Sequence, residues 1–191
     1  MAKALLPLAT ELSRVDRDAL ERHFLALDAA DRRLRFGAPQ GDFAIRAYVE
    51  RIDFTRDAVF GAWDDDLRLL GAAHLARAGK RAELGLSVLS AHRRCGLGGA
   101  LLSRACVRAR NWRRLALFMY CLGENEAMMG LARKQGMAIT AVAGEAHAWL
   151  RLPPADAASF LRDVSSEALA RFDLALKAQL GYARRLLPFQ R

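Results

Sequence analysis

The sequence predicts a mixed α/β fold, with a central, mostly antiparallel sheet carrying helices and a helical tail behind it. Three observations predict it. The hydrophobic period changes from helical to alternating near residue 58. A strand at 82–89, a glycine-rich turn, a helix at 99–110 and a strand at 114–122 then form a unit long enough for a parallel crossover. Finally, Pro153-Pro154 ends the pattern, and apolar residues beyond it return at helical spacing. Residues 1–152 are expected to form one domain, with 153–191 a helical extension packed on it or at a dimer interface.

Each element has a local reason. Ser13 to Asp16 reads as a capping box opening a helix through residues 20–29. Residues 31–36 continue that helix or start a second one, stopped by Gly37 and Pro39. Asp42 is expected to cap a helix over 43–52. Residues 58–63 and 67–76, joined by Asp64-Asp65-Asp66, read as a hairpin, and 82–89 as a third strand. The apolar run 114–122 is a buried strand. Residues 124–136 form a helix that Gly136 stops. A last hairpin pairs 137–142 with 145–152. In the tail, Leu169, Phe172, Leu176 and Leu180 make an amphipathic stripe.

Composition excludes several classes. With 53% hydrophobic and 27% charged residues, the 191-residue chain can bury a core and solvate its surface, which disordered chains cannot. No apolar run approaches the ~20 residues that span a bilayer, and the N-terminal apolar segment is short for a signal peptide, so a cytoplasmic location is expected. Cys95, Cys106 and Cys121 are odd in number and contain no C-x-x-C pair, and the four histidines lack ligand spacing. Neither a disulfide framework nor a metal site is expected. Of the histidines, His74 and His147 read as core or rim residues. The net charge is +9, and residues 84–123 contain no Asp or Glu among seven arginines. That basic field centres on the glycine cluster and suits a multiply charged phosphate ligand; nucleic acid would suit it as well. Only Trp112 lies among the arginines, however, so nucleic acid is not expected as a partner.

The cluster itself is SAHRRCGLGGALL, residues 90–102. A P-loop is excluded because no Lys-Ser or Lys-Thr follows the glycines. A dinucleotide fingerprint fits poorly: Gly96 comes seven residues after Leu89, and no acid appears until Glu124. The pattern that is met is R-x-x-G-x-G, by Arg93-Arg94-Cys95-Gly96-Leu97-Gly98 with Gly99 following. Backbone N–H groups at such a helix start can converge on one pyrophosphate, and missing Cβ atoms let it approach.

With the strand ahead, the helix behind and N-x-x-M-x-x-L-A-R-K-x-G at 125–136, this pattern resembles the GNAT superfamily of N-acetyltransferases over residues 12–152. The segments 47–63, 82–89 and 125–137 further resemble the acetyltransferase domain of bacterial Pat-type protein lysine acetyltransferases. The resemblance implies a GNAT-like acyl-CoA N-acyltransferase fold with acetyl-CoA as co-substrate. It also implies an amine acceptor, either a protein lysine or a small amine, in a ternary complex. Arg93, Arg94, Cys95, Gly96, Leu97, Gly98 and Gly99 would hold the pyrophosphate. Leu86, Ser87 and Val88 would pair with pantetheine where their strand splays from the next, and Asn125 would touch the pantetheine arm. A CoA-sensing module without catalysis is the reading from another class.

A free lysine amine has a pKa of ~10.4, so a base must take its proton near neutral pH. Glu83 shares a strand face with Gly85 and Ser87, small residues that leave room for a ligand. Position alone reads Glu83 as a surface glutamate; the Pat-type resemblance makes it the general base. Many superfamily members have a general-acid Tyr seven residues after the Asn, where this chain has Ala132, so the acid is unassigned. Tyr120 and Cys121 are minor candidates for acid and nucleophile. Asp28, Asp31, Asp53 and Glu145 are the acids that could greet a cationic acceptor.

Overall fold

The computed structural model describes residues 8–142 and 144–186. One seven-stranded sheet runs through it in the order β1-β2-β3-β4-β5-β7-β6. The strands are β1 (Ala9–Leu12), β2 (Ala58–Trp63), β3 (Leu69–Ala78), β4 (Arg81–Val88), β5 (Ala116–Leu122), β6 (Ala138–Val142) and β7 (Glu145–Arg151). All neighbours are antiparallel except β4 and β5. The expected mixed sheet is therefore present, with one edge strand that the sequence reading left out. β1 is only four residues long, too short for its alternation to stand out.

Helix boundaries differ from the expected ones for local reasons. The Ser13–Asp16 capping box forms, but it opens a single 3-10 turn that leads into α1 (Arg17–Leu25). α2 (Ala29–Phe36) is separate, because the Asp28 carboxylate accepts from the Asp31 N–H and starts a new helix. α3 (Asp42–Glu50) is capped by Gly41, and Asp42 is its first residue, not its cap. Leu67, expected on a strand, sits in the turn at φ 58°. α4 (Leu97–Asn111) begins two residues earlier than expected, and α5 (Glu126–Lys134) ends before Gly136, which takes φ 71°.

Strand alternation sorts side chains onto two cores. Leu84, Leu86, Leu117 and Met119 pack with Leu101, Leu102 and Ala105 of α4 and Ala132 of α5. On the other sheet face, Val59, Leu69 and Ala72 pack with Leu20, Phe24, Ile45 and Val49 of α1 and α3. The second cover stops short of β5–β7. There Tyr120 is 52% and Trp149 40% exposed, and Phe118 stacks between them at ring-centroid distances of 6.4 Å.

The tail is one long helix, α6 (Ala157–Leu186). It docks on α4 and β1, though not through the predicted stripe. Leu169, Phe172, Leu176 and Leu180 all face outward, while Ser159, Asp163 and Ala170 are buried. The docking face is polar. Asp163 bonds Arg104 and Arg108 at 2.8 Å each, Glu167 bonds Arg104 at 2.7 Å, and Glu11 grips Arg108 at 2.5 and 2.7 Å. The segment of sequence without acids is therefore compensated in space. Arg104, Arg108 and Arg110 spend their charge on α6, β1 and Asp156, and do not add to a field at the glycine turn.

Candidate functional site

The site is built where β4 and β5 part. Their parallel pairing covers only Arg81↔Ala116, Ala82↔Leu117 and Glu83↔Phe118. On the β3 side, the Leu89 N–H donates to Leu70 O at 2.9 Å; on the β5 side, Lys80 O accepts from the Leu115 N–H at 2.9 Å. Alternation between these fixed points turns the backbone groups of Leu86 and Val88 toward the gap, and those of Ser87 toward β3. Of the three residues expected to line the gap, Leu86 presents both backbone groups and Val88 its N–H, the Val88 carbonyl being taken by Arg93 Nε. Ser87 presents neither, and its hydroxyl is also engaged, 2.8 Å from His23 Nε2.

The glycine turn closes one end of the gap. Arg94 has φ 61° and Gly96 φ 90°, and Gly96 caps α4. The first helical bond runs from the Ala100 N–H to Gly96 O, leaving the N–H groups of Leu97, Gly98 and Gly99 without helical acceptors. Gly98 and Gly99 lie in the first helical turn, not in a loop. A Cβ on Gly98 would meet Leu131 at an ordinary 3.4 Å, and one on Gly99 would meet nothing within 4 Å. Neither has a positive φ. Glycine in a helix costs up to about 1 kcal/mol against alanine, and neither backbone nor packing requires it here. A ligand approaching that backbone is a reason for both.

The two arginines of the motif divide. Arg93 is held back, its Nη2 2.6 Å from Asp31 and its Nε donating to Val88 O at 3.1 Å. Arg94 is exposed at the rim with no ion pair among the described residues. Cys95 is exposed, and its thiol donates to His92 O at 2.7 Å. Across the gap, Asn125 caps α5: its Oδ1 accepts from the Met128 N–H at 3.1 Å, and its amide nitrogen has no partner among the described residues.

Glu83 is exposed beside Phe118, at the last paired position before the strands diverge. The space expected over Gly85 and Ser87 is not open. The Arg35 guanidinium lies where a Gly85 Cβ would be, 2.5 Å from that position, and His23 covers Ser87. Arg35 Nη2 donates to the Tyr48 hydroxyl at 3.0 Å, that hydroxyl is 2.6 Å from His74 Nδ1, and His74 Nε2 is 3.0 Å from Asp57. His74 is thus a half-buried link in a polar chain. Its pKa is lowered, chiefly by burial. No spacing in the sequence marks this chain, since its members come from four separate elements and loops.

Arg35 and Tyr48 help to line a cleft of about 620 Å³ between α2, α3 and the end of β5, with Gln40, Arg51, Tyr120 and Glu145. Among the four acids considered for greeting a cation, only Glu145 is in it. Asp28 caps α2, Asp31 holds Arg93, and Asp53 accepts from Thr55. Cys121 also lines the cleft, but burial raises its thiol pKa, which disfavours the nucleophilic thiolate. No group of three or more metal-ligating side chains occurs among the described residues, and no described helix is long and apolar enough to cross a membrane.

Comparison with known proteins gives the family and the fold. A sequence model described as "Acetyltransferase (GNAT) family" matches residues 25–137. No curated protein matches in sequence. Among solved structures, the chain is similar to the GNAT domain of S. lividans PAT, at 19% identity and TM-score 0.67, over 75% of this chain and 89% of that one. It is also similar to yncA, a putative acetyltransferase from Salmonella typhimurium solved with its cofactor acetyl-CoA. That match has 19% identity and TM-score 0.62, over 79% and 96% of the two chains. A third is a phosphinothricin acetyltransferase from Sinorhizobium meliloti in complex with AcCoA, at 14% identity and TM-score 0.63, over 80% and 95%. The chain belongs to the acetyltransferase (GNAT) family. It is an acetyl-CoA-dependent N-acetyltransferase of mixed α/β fold.

Proposed function

We propose that this enzyme moves the acetyl group directly from acetyl-CoA to a primary amine, with Glu83 as general base and a protein lysine as the acceptor. The observation that carries the reading is the divergence of β4 from β5 immediately after Glu83, with the glycine turn at its far end. The N–H groups of Leu97, Gly98 and Gly99, with Arg94, hold the pyrophosphate. The Leu86 carbonyl and the Val88 N–H pair with the pantetheine amides, and the Asn125 amide reaches the same arm. Bound there, acetyl-CoA supplies an activated thioester beside Glu83.

Glu83 takes the proton from the incoming ammonium, and the free amine attacks the thioester carbonyl carbon. The Leu86 N–H, the free β4 donor nearer Glu83, donates to the developing oxyanion, an interaction of about 3 kcal/mol per donor in such sites. The C–S bond then breaks, the nitrogen gives up its second proton to solvent to leave the amide, and the CoA thiolate, a tolerable leaving group, takes a proton from solvent. No Tyr stands at position 132 to supply it. The exposed rings of Tyr120 and Trp149 support a macromolecular acceptor, because an aromatic floor open to solvent suits a lysine side chain carried on a larger surface. The test is acetyl-CoA consumption against small amines and against lysine-bearing peptides and proteins. Turnover with peptide lysines is expected. Turnover with free amines alone moves the acceptor to the small-molecule class. Tight acetyl-CoA binding with no acceptor turned over makes the protein a CoA sensor.

A further inference from the structure

Among the cleft-lining groups, Arg35 stands apart. Its guanidinium is caged by aromatic rings, 5.3 Å from the Phe24 centroid, 4.9 Å from Phe36 and 5.6 Å from Tyr48. It has no carboxylate partner among the described residues, whereas Arg32, Arg33, Arg93, Arg104 and Arg108 each have one. Its hydrogen bond to Tyr48 uses one of five N–H groups, and its Nε is buried with no partner. The carboxylate it is linked to, Asp57, is reached only through Tyr48 and His74, and Asp57 is itself committed to His74. The charge is felt nearby, helping to lower the pKa values of His23 and His74.

The placement of this cation bears on the reaction. The guanidinium rests on Gly85, and Glu83 is two residues away on the same strand face, about 7 Å along an extended strand. A single acceptor can therefore offer its amine to Glu83 and an anionic group to Arg35. A planar, permanently charged fork with open N–H groups matches a carboxylate. We propose that Arg35 is the receptor for a carboxylate on the acceptor, so that the enzyme selects amines bearing a carboxylate within about 7 Å. This rests on the transfer reaction proposed above. A free amino acid and a peptide lysine flanked by an acidic residue present the same chemistry.

The test compares matched acceptors. One arm sets free amino acids against their carboxamides; the other sets a lysine peptide with a neighbouring aspartate against its asparagine version. Each pair is measured by kcat/KM, and by equilibrium binding to enzyme saturated with CoA. The carboxylate form should win by on the order of 10- to 100-fold in at least one arm, as for a hydrogen bond to a charged group, and that arm names the source. Arg35→Met, which keeps an unbranched apolar stem and removes the charged fork, should reduce the ratio below about threefold while acetyl-CoA still stabilises the protein. Arg35→Lys should keep part of the preference, and it stands in if the methionine variant fails to fold. Equal use of acid and amide in both arms, or a preference that survives Arg35→Met, overturns the proposal. If acetyl-CoA binds but no amine is acetylated, the transfer reading fails, and the binding measurement still decides the carboxylate site.

Discussion

His23 shows how a single buried group makes stability depend on pH. Its Nδ1 is 2.9 Å from Leu69 O, a carbonyl that can only accept, so Nδ1 carries the proton and Nε2 accepts from Ser87. Burial pushes its pKa down to about 4, with the backbone bond to Leu69 opposing and the Arg35 charge assisting. The folded pKa is below the unfolded value of about 6.5, so between these two the unfolded chain binds a proton that the native state does not. Stability therefore falls as pH drops from 6.5 toward 4, by up to about 3 kcal/mol from this residue. Urea titrations across that window should show the loss, and His23→Gln should flatten it. Gly99 gives a second test at this scale. Gly99→Ala should raise the unfolding free energy by up to about 1 kcal/mol, since it removes a helical glycine that touches nothing. The same change should weaken acetyl-CoA binding measured by calorimetry. A variant that binds as well as the parent would mean that the space over Gly99 is unused.

Among the elements, α6 carries the largest share of polar docking. Asp163 is 8% exposed and touches both Arg104 and Arg108, so removing it takes a carboxylate partner from a buried guanidinium and from a half-buried one. Asp163→Ala should cost about 3 kcal/mol in denaturant unfolding, clearly more than Asp156→Ala, whose carboxylate is 56% exposed. Equal effects would mean that α6 docks by other contacts. This element also shows what the sequence could not convey. The stripe of Leu169, Phe172, Leu176 and Leu180 obeys helical spacing, and the helix is there, but periodicity does not say which face meets the domain. The face that docks is recognised by arginines some 60 residues earlier. By contrast, the β2–β3–β4 meander, the crossover through α4 and the last hairpin were all legible, because their periods and turns are local.

Over the whole molecule, the fold divides the labour between two sides of one strand. β4 turns free backbone groups of Leu86 and Val88 to the gap, and on one of its faces it carries the exposed Glu83 side chain and, over Gly85, the Arg35 guanidinium. The glycine turn and Asn125 were legible because a motif with fixed spacing carries them. The Arg35–Tyr48–His74–Asp57 chain was not, since it exists only once α2 and α3 are laid on the sheet. The arginine-rich stretch misled for the same reason: its counter-charges come from distant elements. The claim on which all of this rests is that Glu83, at the point where β4 and β5 part, moves the proton in an acetyl transfer. The direct measurement is steady-state turnover of Glu83→Gln with a saturating amine acceptor across pH 6 to 10, alongside its acetyl-CoA dissociation constant. The account predicts that kcat near neutral pH falls at least about 100-fold, recovers as pH approaches the amine's own pKa, and leaves acetyl-CoA affinity within about twofold. Turnover unchanged at every pH would contradict it.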